Sequence, residues 1–238
     1  MALGRNDILK PIINHHRGIP RFIETFLGLA GLVAASPLLL LATVLIRITS
    51  AGPILFRQER IGRFGAPFTL YKFRSMHLYQ DNDIQITAKG DSRVTPVGRL
   101  LRKTKLDELP ELWNVVCGDL SLVGPRPEVP RYVDYGNPLW QTVLEVRPGI
   151  TDPVTLRLRN EEDLLAGCGM DPERFYLKTL QRYKLLGYVE YLQQRSWRSD
   201  ICVLIKTIFA IVLPSQAAPP VVSEIEALNT QAGINCHY

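Results

Sequence analysis

Apolar positions are unevenly spread along this 238-residue chain. From Phe26 to Ile46, the stretch FLGLAGLVAASPLLLLATVLI holds 21 residues without a charge. As a helix of roughly 30 Å it is long enough to cross a bilayer core. Its middle argues against a simple crossing. Pro37 cannot donate to the carbonyl of Val33 and its ring crowds that carbonyl, while the Ser36 hydroxyl can bond back one turn and stabilise a bend. Cations flank both ends: Arg5, Lys10, Arg17 and Arg21 before the run, Arg47, Arg57, Arg60 and Arg63 after it. Flanking cations prefer the cytoplasmic side. A helix–break–helix hairpin entering and leaving by one face satisfies both ends, whereas a span satisfies one. The length of the run and the lack of a convincing small-residue cleavage site after it argue against a cleaved leader.

Beyond this run, GPILFRQERIG and PFTLYKFRSM predict two strands joined by a turn at Gly62 to Pro67. Lys72 and Arg74 share one face of the second strand, and Tyr71 and Phe73 point the other way, into a core. Residues 78–92 are polar and read as a loop. VTPVGRLLRKTKLDELPELWNVVCGD predicts a helical region, a break near Lys105, and a second helix running to about Val116, stopped by Gly118. Proline is tolerated in a first helical turn and costly further in. Pro110 therefore places the start of the second helix near Leu106 to Leu109, with Asp107 and Glu108 at its N-terminus. LSLVGPRPEVP predicts a short strand entering a proline-locked loop. An amphipathic helix follows over about Pro172 to Gln194. A second, apolar but interrupted by Lys206, runs from Asp200 to Leu213 and suits a membrane interface. Residues 214–238, rich in Ala, Pro and polar residues, read as a flexible tail. The chain has no internal repeat.

Composition narrows the partners. With 46% hydrophobic and 21% charged residues the chain is not disordered throughout. A net charge of +5 and a pI near 9.1 favour an anionic partner: nucleic acid, acidic lipid or a phosphorylated substrate. The basic residues lack interleaved aromatics for base stacking and form no nucleic-acid module, which removes nucleic acid. The cysteines at 117, 168, 202 and 236 have no C-x-x-C spacing, arguing against zinc or disulfides and for a reducing cytoplasm.

The adjacent carboxylates of KTKLDELPEL pose the chemical question. Asp107 and Glu108 could simply cap a helix, for about 0.3–1 kcal/mol from its dipole. Their surroundings suggest more. Arg93, Arg99, Arg102, Lys103 and Lys105 precede them with no intervening acid, and Lys72, Arg74 and Arg126 add further cations. In GPRP, Pro125 has a fixed φ and Pro127 forces Arg126 into an extended conformation. A guanidinium aimed this way suits bidentate phosphate contacts. A helix N-terminus binds anions, and a divalent cation such as Mg²⁺ lets two carboxylates and a diphosphate share a small volume. The parts describe phosphoryl transfer with a carboxylate able to attack phosphorus, and beside a membrane hairpin the acceptor is a lipid phosphate. A competing motif, D-x-D at Asp81 to Asp83, occurs in metal-dependent glycosyltransferases that transfer the sugar alone and release UDP instead of UMP. No nucleotide-binding strand pattern surrounds it here.

LYKFRSM, VTPVGRLLRKTKLDELPELWNV, GDLSLVGPRP and RPGIT, in this order, resemble the bacterial sugar transferases, and among them the monotopic polyprenyl-phosphate phosphoglycosyl transferases. The resemblance covers roughly residues 19–213. It implies an α+β protein: a polar lead (1–18), a re-entrant membrane helix (19–50) broken at Ser36-Pro37, a small cytosolic α/β catalytic domain with amphipathic interface helices (51–213), and the tail (214–238). The expected location is the bacterial inner membrane, with both termini and the catalytic domain on the cytoplasmic face. The implied reaction moves a sugar-1-phosphate from a nucleoside diphosphate sugar, usually UDP-linked, to undecaprenyl phosphate. By the same resemblance Asp107 is the nucleophile of a covalent phosphosugar intermediate. Asp107 and Glu108 hold Mg²⁺ (or Mn²⁺), and Lys72, Arg74, Arg102, Arg126 and Pro127 form the phosphate and nucleotide site. Asp152 stands where many members have glycine, which leaves the local loop open. The lead lacks the transmembrane segments of larger members, so a minimal catalytic unit is expected, and a homodimer is compatible with it.

Overall fold

A computed structural model of the chain describes residues 18–77, 86–159, 161–212 and 220–231. Its first element, α1 (Arg21–Thr49), is one α-helix of 29 residues, about 43 Å long at 1.5 Å per residue. The helix runs unbroken through Pro37, so the expected break at Ser36-Pro37 is not an interruption of the helix. An interior proline deletes one N–H donor and leaves the remaining ladder to carry the helix on, bent at most. One 18-residue window has a mean hydropathy of 2.4, making α1 long and apolar enough to cross a membrane. Phe22, Phe26, Val33, Leu40 and Ile48 lie exposed along it, as do Ser36 and Pro37.

Both ends of α1 are fastened to the rest of the chain. Near its start, Glu24 is buried and accepts the Leu122 N–H at 3.1 Å, and Arg21 donates to the carbonyls of Val115, Val116 and Leu120. Near its end, Ala42 and Ile46 pack with Phe73 and Leu101.

The strands β1 (Leu55–Ile61) and β2 (Pro67–Phe73) form the expected antiparallel hairpin, with Leu55 opposite Phe73 and Ile61 opposite Pro67. The helix α2 (Pro96–Thr104) starts where the Thr95 side chain accepts the Gly98 N–H at 2.8 Å. Gly98 presses on the chain leaving β2, and a Cβ there would lie 1.9 Å from the Ser75 carbonyl oxygen. Next come α3 (Glu111–Cys117), ending at Gly118 with φ 103°, and β3 (Ser121–Val123). After α4 (Pro138–Leu144), the strand β4 (Gly149–Thr151) pairs with β3 in parallel.

The C-terminal part is helical: α5 (Pro153–Arg157), α6 (Glu161–Ala166), α7 (Pro172–Phe175), a π turn over Tyr176–Leu180, α8 (Gln181–Gln194) and α9 (Trp197–Val212). The predicted helix from Pro172 to Gln194 is thus present with a π turn inserted. On α9, Ile201, Ile205, Ile208 and Phe209 are exposed while Val203 packs inward, giving it an apolar outer face. The segment expected as a flexible tail holds a helix, α10 (Val222–Gln231), whose Ile225 is fully buried in the core of α4, α7 and α8. Composition concealed it. The Val222–Ile225 spacing of three places two apolar residues on one helical face, and that face packs on this core.

Candidate active site

The helix α2 ends because Lys105 takes a left-handed backbone, with φ 58°. That conformation costs a non-glycine residue about 1–2 kcal/mol, and such strain gathers at functional positions. The chain then makes a 3-10 turn over Leu106–Glu108 before Pro110 leads into α3. Asp107 and Glu108 therefore precede the second helix instead of opening it. Its first residue is Glu111, later than the expected start near Leu106 to Leu109. Neither carboxylate caps this region. The N–H groups of Glu108, Leu109, Leu112 and Trp113 go to the carbonyls of Lys105, Leu106, Leu109 and Pro110, and no side-chain cap bond is made at the turn or at α3.

Glu108 is instead the centre of a charge cluster. Its Oε1 accepts from Arg126 Nη2 at 2.5 Å and from Lys72 Nζ at 3.1 Å, with Lys105 Nζ 4.0 Å away. Lys72 Nζ also lies 3.2 Å from Oε1 of Glu111, a carboxylate only 1% exposed. Glu111 was not among the expected site residues. Its signal is spacing, since it stands three residues after Glu108 and four after Asp107, on a shared helical face. Asn114, also unanticipated, joins α3 to the strand that carries Lys72. It accepts the Tyr71 N–H at 3.1 Å and donates to the Thr69 carbonyl at 2.7 Å.

The proline-locked loop is sewn in from two sides. The Gly124 N–H donates to the Thr151 carbonyl at 3.0 Å and the Gly149 N–H to the Pro125 carbonyl at 2.9 Å. The approach is so close that a Cβ on Gly149 would lie 2.1 Å from the Gly124 nitrogen. From the other side Arg60 Nη1 donates to the Pro127 carbonyl at 3.0 Å. Arg126 is aimed by this stitching, and its Nη1 donates to the Ile150 carbonyl at 3.2 Å.

The three carboxyls have different electrostatic fates. Burial raises the Asp107 pKa above the usual aspartate range, and the neighbouring Glu108 charge raises it further. Asp107 is 6% exposed and its Oδ1 has no hydrogen-bond partner. Burial also opposes ionisation of Glu108, but the charges of Arg126 and Lys72 outweigh it and hold Glu108 well below the usual range. Glu111 is raised, by burial first. Arg126 loses charge stability to burial and more than regains it from Glu108 and Glu111. Glu108 is therefore held towards its charged form and gripped, while its neighbour keeps an uncommitted oxygen.

A cleft of about 1460 Å³ opens on this cluster, lined among others by Lys72, Arg102, Asp107, Glu108, Arg126 and Pro127. Arg102 stands in the wall, paired with Glu162. Arg74 does not join the cluster through its guanidinium. It donates to the Ser50 and Ala51 carbonyls, both at 2.8 Å, and to Ser50 Oγ at 2.6 Å, tying down the end of α1. A buried guanidinium needs several acceptors, and the exposed backbone past a helix end supplies them. Asp152 is an N-cap for α5, accepting the N–H groups of Val154 at 2.7 Å and Thr155 at 2.9 Å, so its loop is closed locally. Asp81 and Asp83 lie outside the described residues. Among those described, no three His, Cys, Asp or Glu side chains group as metal ligands. The orphaned Asp107 oxygen beside Glu108 does suit a hard divalent ion whose other ligands are phosphate and water.

The bacterial sugar transferase family matches residues 15–214. The chain belongs to that family. Among relatives of this bacterial sugar transferase, a UDP-glucose:undecaprenyl-phosphate glucose-1-phosphate transferase of Caulobacter vibrioides is 37% identical over 187 residues, covering 76% of this chain and 65% of that protein. The UDP-N-acetylgalactosamine-undecaprenyl-phosphate N-acetylgalactosaminephosphotransferase of Aeromonas hydrophila is 41% identical over 137 residues, 56% of this chain and 32% of its own length. The exopolysaccharide production protein ExoY of Sinorhizobium fredii is 31% identical over 209 residues, 81% and 85% of the two chains. The chain thus spans less than two thirds of the first two relatives, and those two are named for different sugars.

Proposed function

We propose that this bacterial sugar transferase moves a sugar-1-phosphate from a UDP-sugar to undecaprenyl phosphate by way of a covalent intermediate on Asp107. The observation that carries the reading is the Asp107 carboxyl, buried yet with an oxygen bonded to nothing, beside a cluster of cations gathered on Glu108. A carboxylate oxygen of Asp107 attacks the sugar-bearing phosphorus. The bond from that phosphorus to the bridging oxygen breaks, and the nucleoside monophosphate leaves with the oxygen and the electron pair. A lipid phosphate oxygen then attacks the same phosphorus, releasing the Asp107 carboxylate and giving a polyprenyl-diphosphate sugar. Lys72, Arg102 and Arg126 hold phosphate oxygens. Glu108 keeps Lys72 and Arg126 in place before the anion arrives, which lowers the reorganisation needed during reaction. Mg²⁺ (or Mn²⁺), held by Asp107 and Glu108, would supply neutralisation of diphosphate charge.

The proposed membrane arrangement draws its support from α1. A helix crossing straight through would part its ends by about 30 Å of hydrocarbon. Here Arg21 and Glu24 at one end and Ile46 and Ser50 at the other are tied to the same body of α2, α3, β2 and β3. This supports a re-entrant helix bent about Ser36-Pro37, with both ends and the catalytic domain on the cytoplasmic side of the inner membrane, as the flanking cations favour. The apolar outer face of α9 adds a second contact with the interface.

Covalent catalysis separates two half-reactions. Full-length enzyme given a UDP-sugar and Mg²⁺ without lipid should release UMP, about one equivalent per enzyme, and carry the sugar phosphate mass on Asp107. Release of UMP only when lipid acceptor is added would exclude the intermediate, and release of UDP would point to Asp81 and Asp83.

A further inference from the structure

The cleft is not uniform. Around Asp107 its charges are crowded and cationic, with Lys72, Lys105 and Arg126 converging on Glu108. Beyond Arg126 the wall changes character. Glu128 is paired with Arg60 at 3.3 Å and accepts the Tyr176 hydroxyl. Lys184 is paired with Glu161 at 2.7 Å and sits 4.8 Å over the Tyr176 ring. Each charge here has its partner, so this end is polar but balanced.

Much of that wall is one face of α8. Gln181, Lys184 and Tyr188 stand at i, i+3 and i+7 and all line the cleft, as helical geometry allows. Tyr188 is 3% exposed and lines the same cleft as Arg126, Glu128 and Glu161. Trp140 of α4 lines the same cleft, is 4% exposed, and its indole Nε1 has no acceptor. A buried indole N–H without a partner is uncommon and costs about 1–3 kcal/mol. A ligand acceptor would relieve it.

We infer that the α8 face of Gln181, Lys184 and Tyr188, with Trp140 and Tyr176, recognises the hydroxyls of the transferred sugar and sets which sugar is accepted. The inference rests on the proposed reaction and adds the group that reads its substrate. A donor has an anionic diphosphate flanked by neutral, hydroxyl-bearing groups, and the cleft offers a cationic end continuing into a balanced polar one. Attack by Asp107 puts the sugar-bearing phosphorus against the Glu108–Arg126 pair. The sugar is one bond from that phosphorus, whereas the nucleoside is a further phosphate away, so the wall adjoining Arg126 meets the sugar. Aromatic rings and fixed polar atoms in a concave wall suit a polyhydroxyl ring. Sites built to hydrogen-bond a hydroxyl discriminate strongly against its absence or displacement.

The test uses the full chain with undecaprenyl phosphate and Mg²⁺. UMP release is measured with UDP-glucose, UDP-galactose and their N-acetylated counterparts, and UMP inhibition is measured alongside. Tyr188→Phe and Trp140→Phe each remove a polar atom while keeping a ring, and thermal unfolding checks that both fold. The ratio of kcat/KM between the best donor and its epimer should fall by about tenfold or more in at least one variant, with UMP inhibition unchanged. An unchanged ratio in both folded variants would overturn the assignment. So would UMP inhibition weakened in step with the donors, because the wall would then hold the nucleoside. If the unsubstituted protein released no UMP from any donor, the proposed reaction itself would fall, a result separate from either of these.

Discussion

Buried carboxyls occur in two settings in this protein. Asp200 is fully buried and accepts from the Tyr191 hydroxyl at 2.6 Å, from Arg195 at 3.1 and 3.2 Å, and from the Ile19 N–H at 3.3 Å. Asp152 is equally enclosed and meets two N–H groups and the Thr155 hydroxyl. Both are saturated: Asp200 joins segments, and Asp152 closes its own loop. In the 3-10 turn after α2, Asp107 is almost as deep, and burial raises its pKa as it raises that of Asp152, but Asp107 keeps an oxygen without a partner and lines the cleft. A folded chain satisfies buried polar groups almost everywhere. Where it leaves one orphaned in a cleft with a shifted pKa, that group is a candidate for chemistry. Depth alone does not separate structure from function here; an unpartnered oxygen on a residue that lines the cleft does, since Glu111 Oε1 also lacks a hydrogen bond but Glu111 does not line the cleft.

The sharpest way to break this contrast is Asp107→Asn. Turnover should fall by at least about 10³-fold, as when a nucleophile is removed, while the protein stays folded. Burial makes ionised Asp107 costly, so its raised pKa subtracts stability as pH rises through the folded value. Removing the charge should therefore leave unfolding at neutral pH unchanged or shift it upward. Unfolding of Asp107→Asn in a thermal melt would put Asp107 in the same class as Asp200. The reverse substitution, Asp200→Asn, should cost about 3–5 kcal/mol by stranding Arg195, read as a lowered unfolding midpoint, with near-normal specific activity in whatever remains folded. The smallest effect concerns pH. On the proposed mechanism the attacking Asp107 is ionised, so the UMP burst should decline about tenfold per unit below an apparent pKa higher than the ordinary aspartate value of about 3.9. Glu108, held low by Arg126 and Lys72, should stay charged across that window. A burst that is flat down to pH 4 would remove Asp107 from the role.

The features legible in the sequence were those enforced by backbone chemistry. Pro125 and Pro127 announce a fixed Arg126, and the pattern of VTPVGRLLRKTKLDELPELWNVVCGD predicts a helix, a break near Lys105 and a second helix, which begins at Glu111, later than Pro110 suggests. The illegible features depend on tertiary partners. Arg74 reads as a phosphate ligand, and its bonds to Ser50 and Ala51 at the end of α1, which occupy part of its guanidinium, are not announced by spacing. Glu111 lacked the prominence of an adjacent pair, and only the arrival of Lys72 from β2 makes it part of the cluster. The stripe of Gln181, Lys184 and Tyr188 is diluted by apolar neighbours in α8, and its meaning depends on which face the core leaves uncovered. The unbroken course of α1 through Pro37 shows the same limit, because a proline lowers the local preference for helix without deciding the outcome.

The double attachment of α1 constrains more than topology. With one end held by Arg21 and the other by Arg74, helix and catalytic body are braced like a handle riveted at two points. On the re-entrant reading, the distance from Asp107 to the acyl chains then scarcely varies. On the proposed reaction, a domain so braced does not swing to fetch its acceptor, and the polyprenyl chain brings its own phosphate up to a reaction centre at constant height. The diphosphate product would leave by drifting sideways in the leaflet.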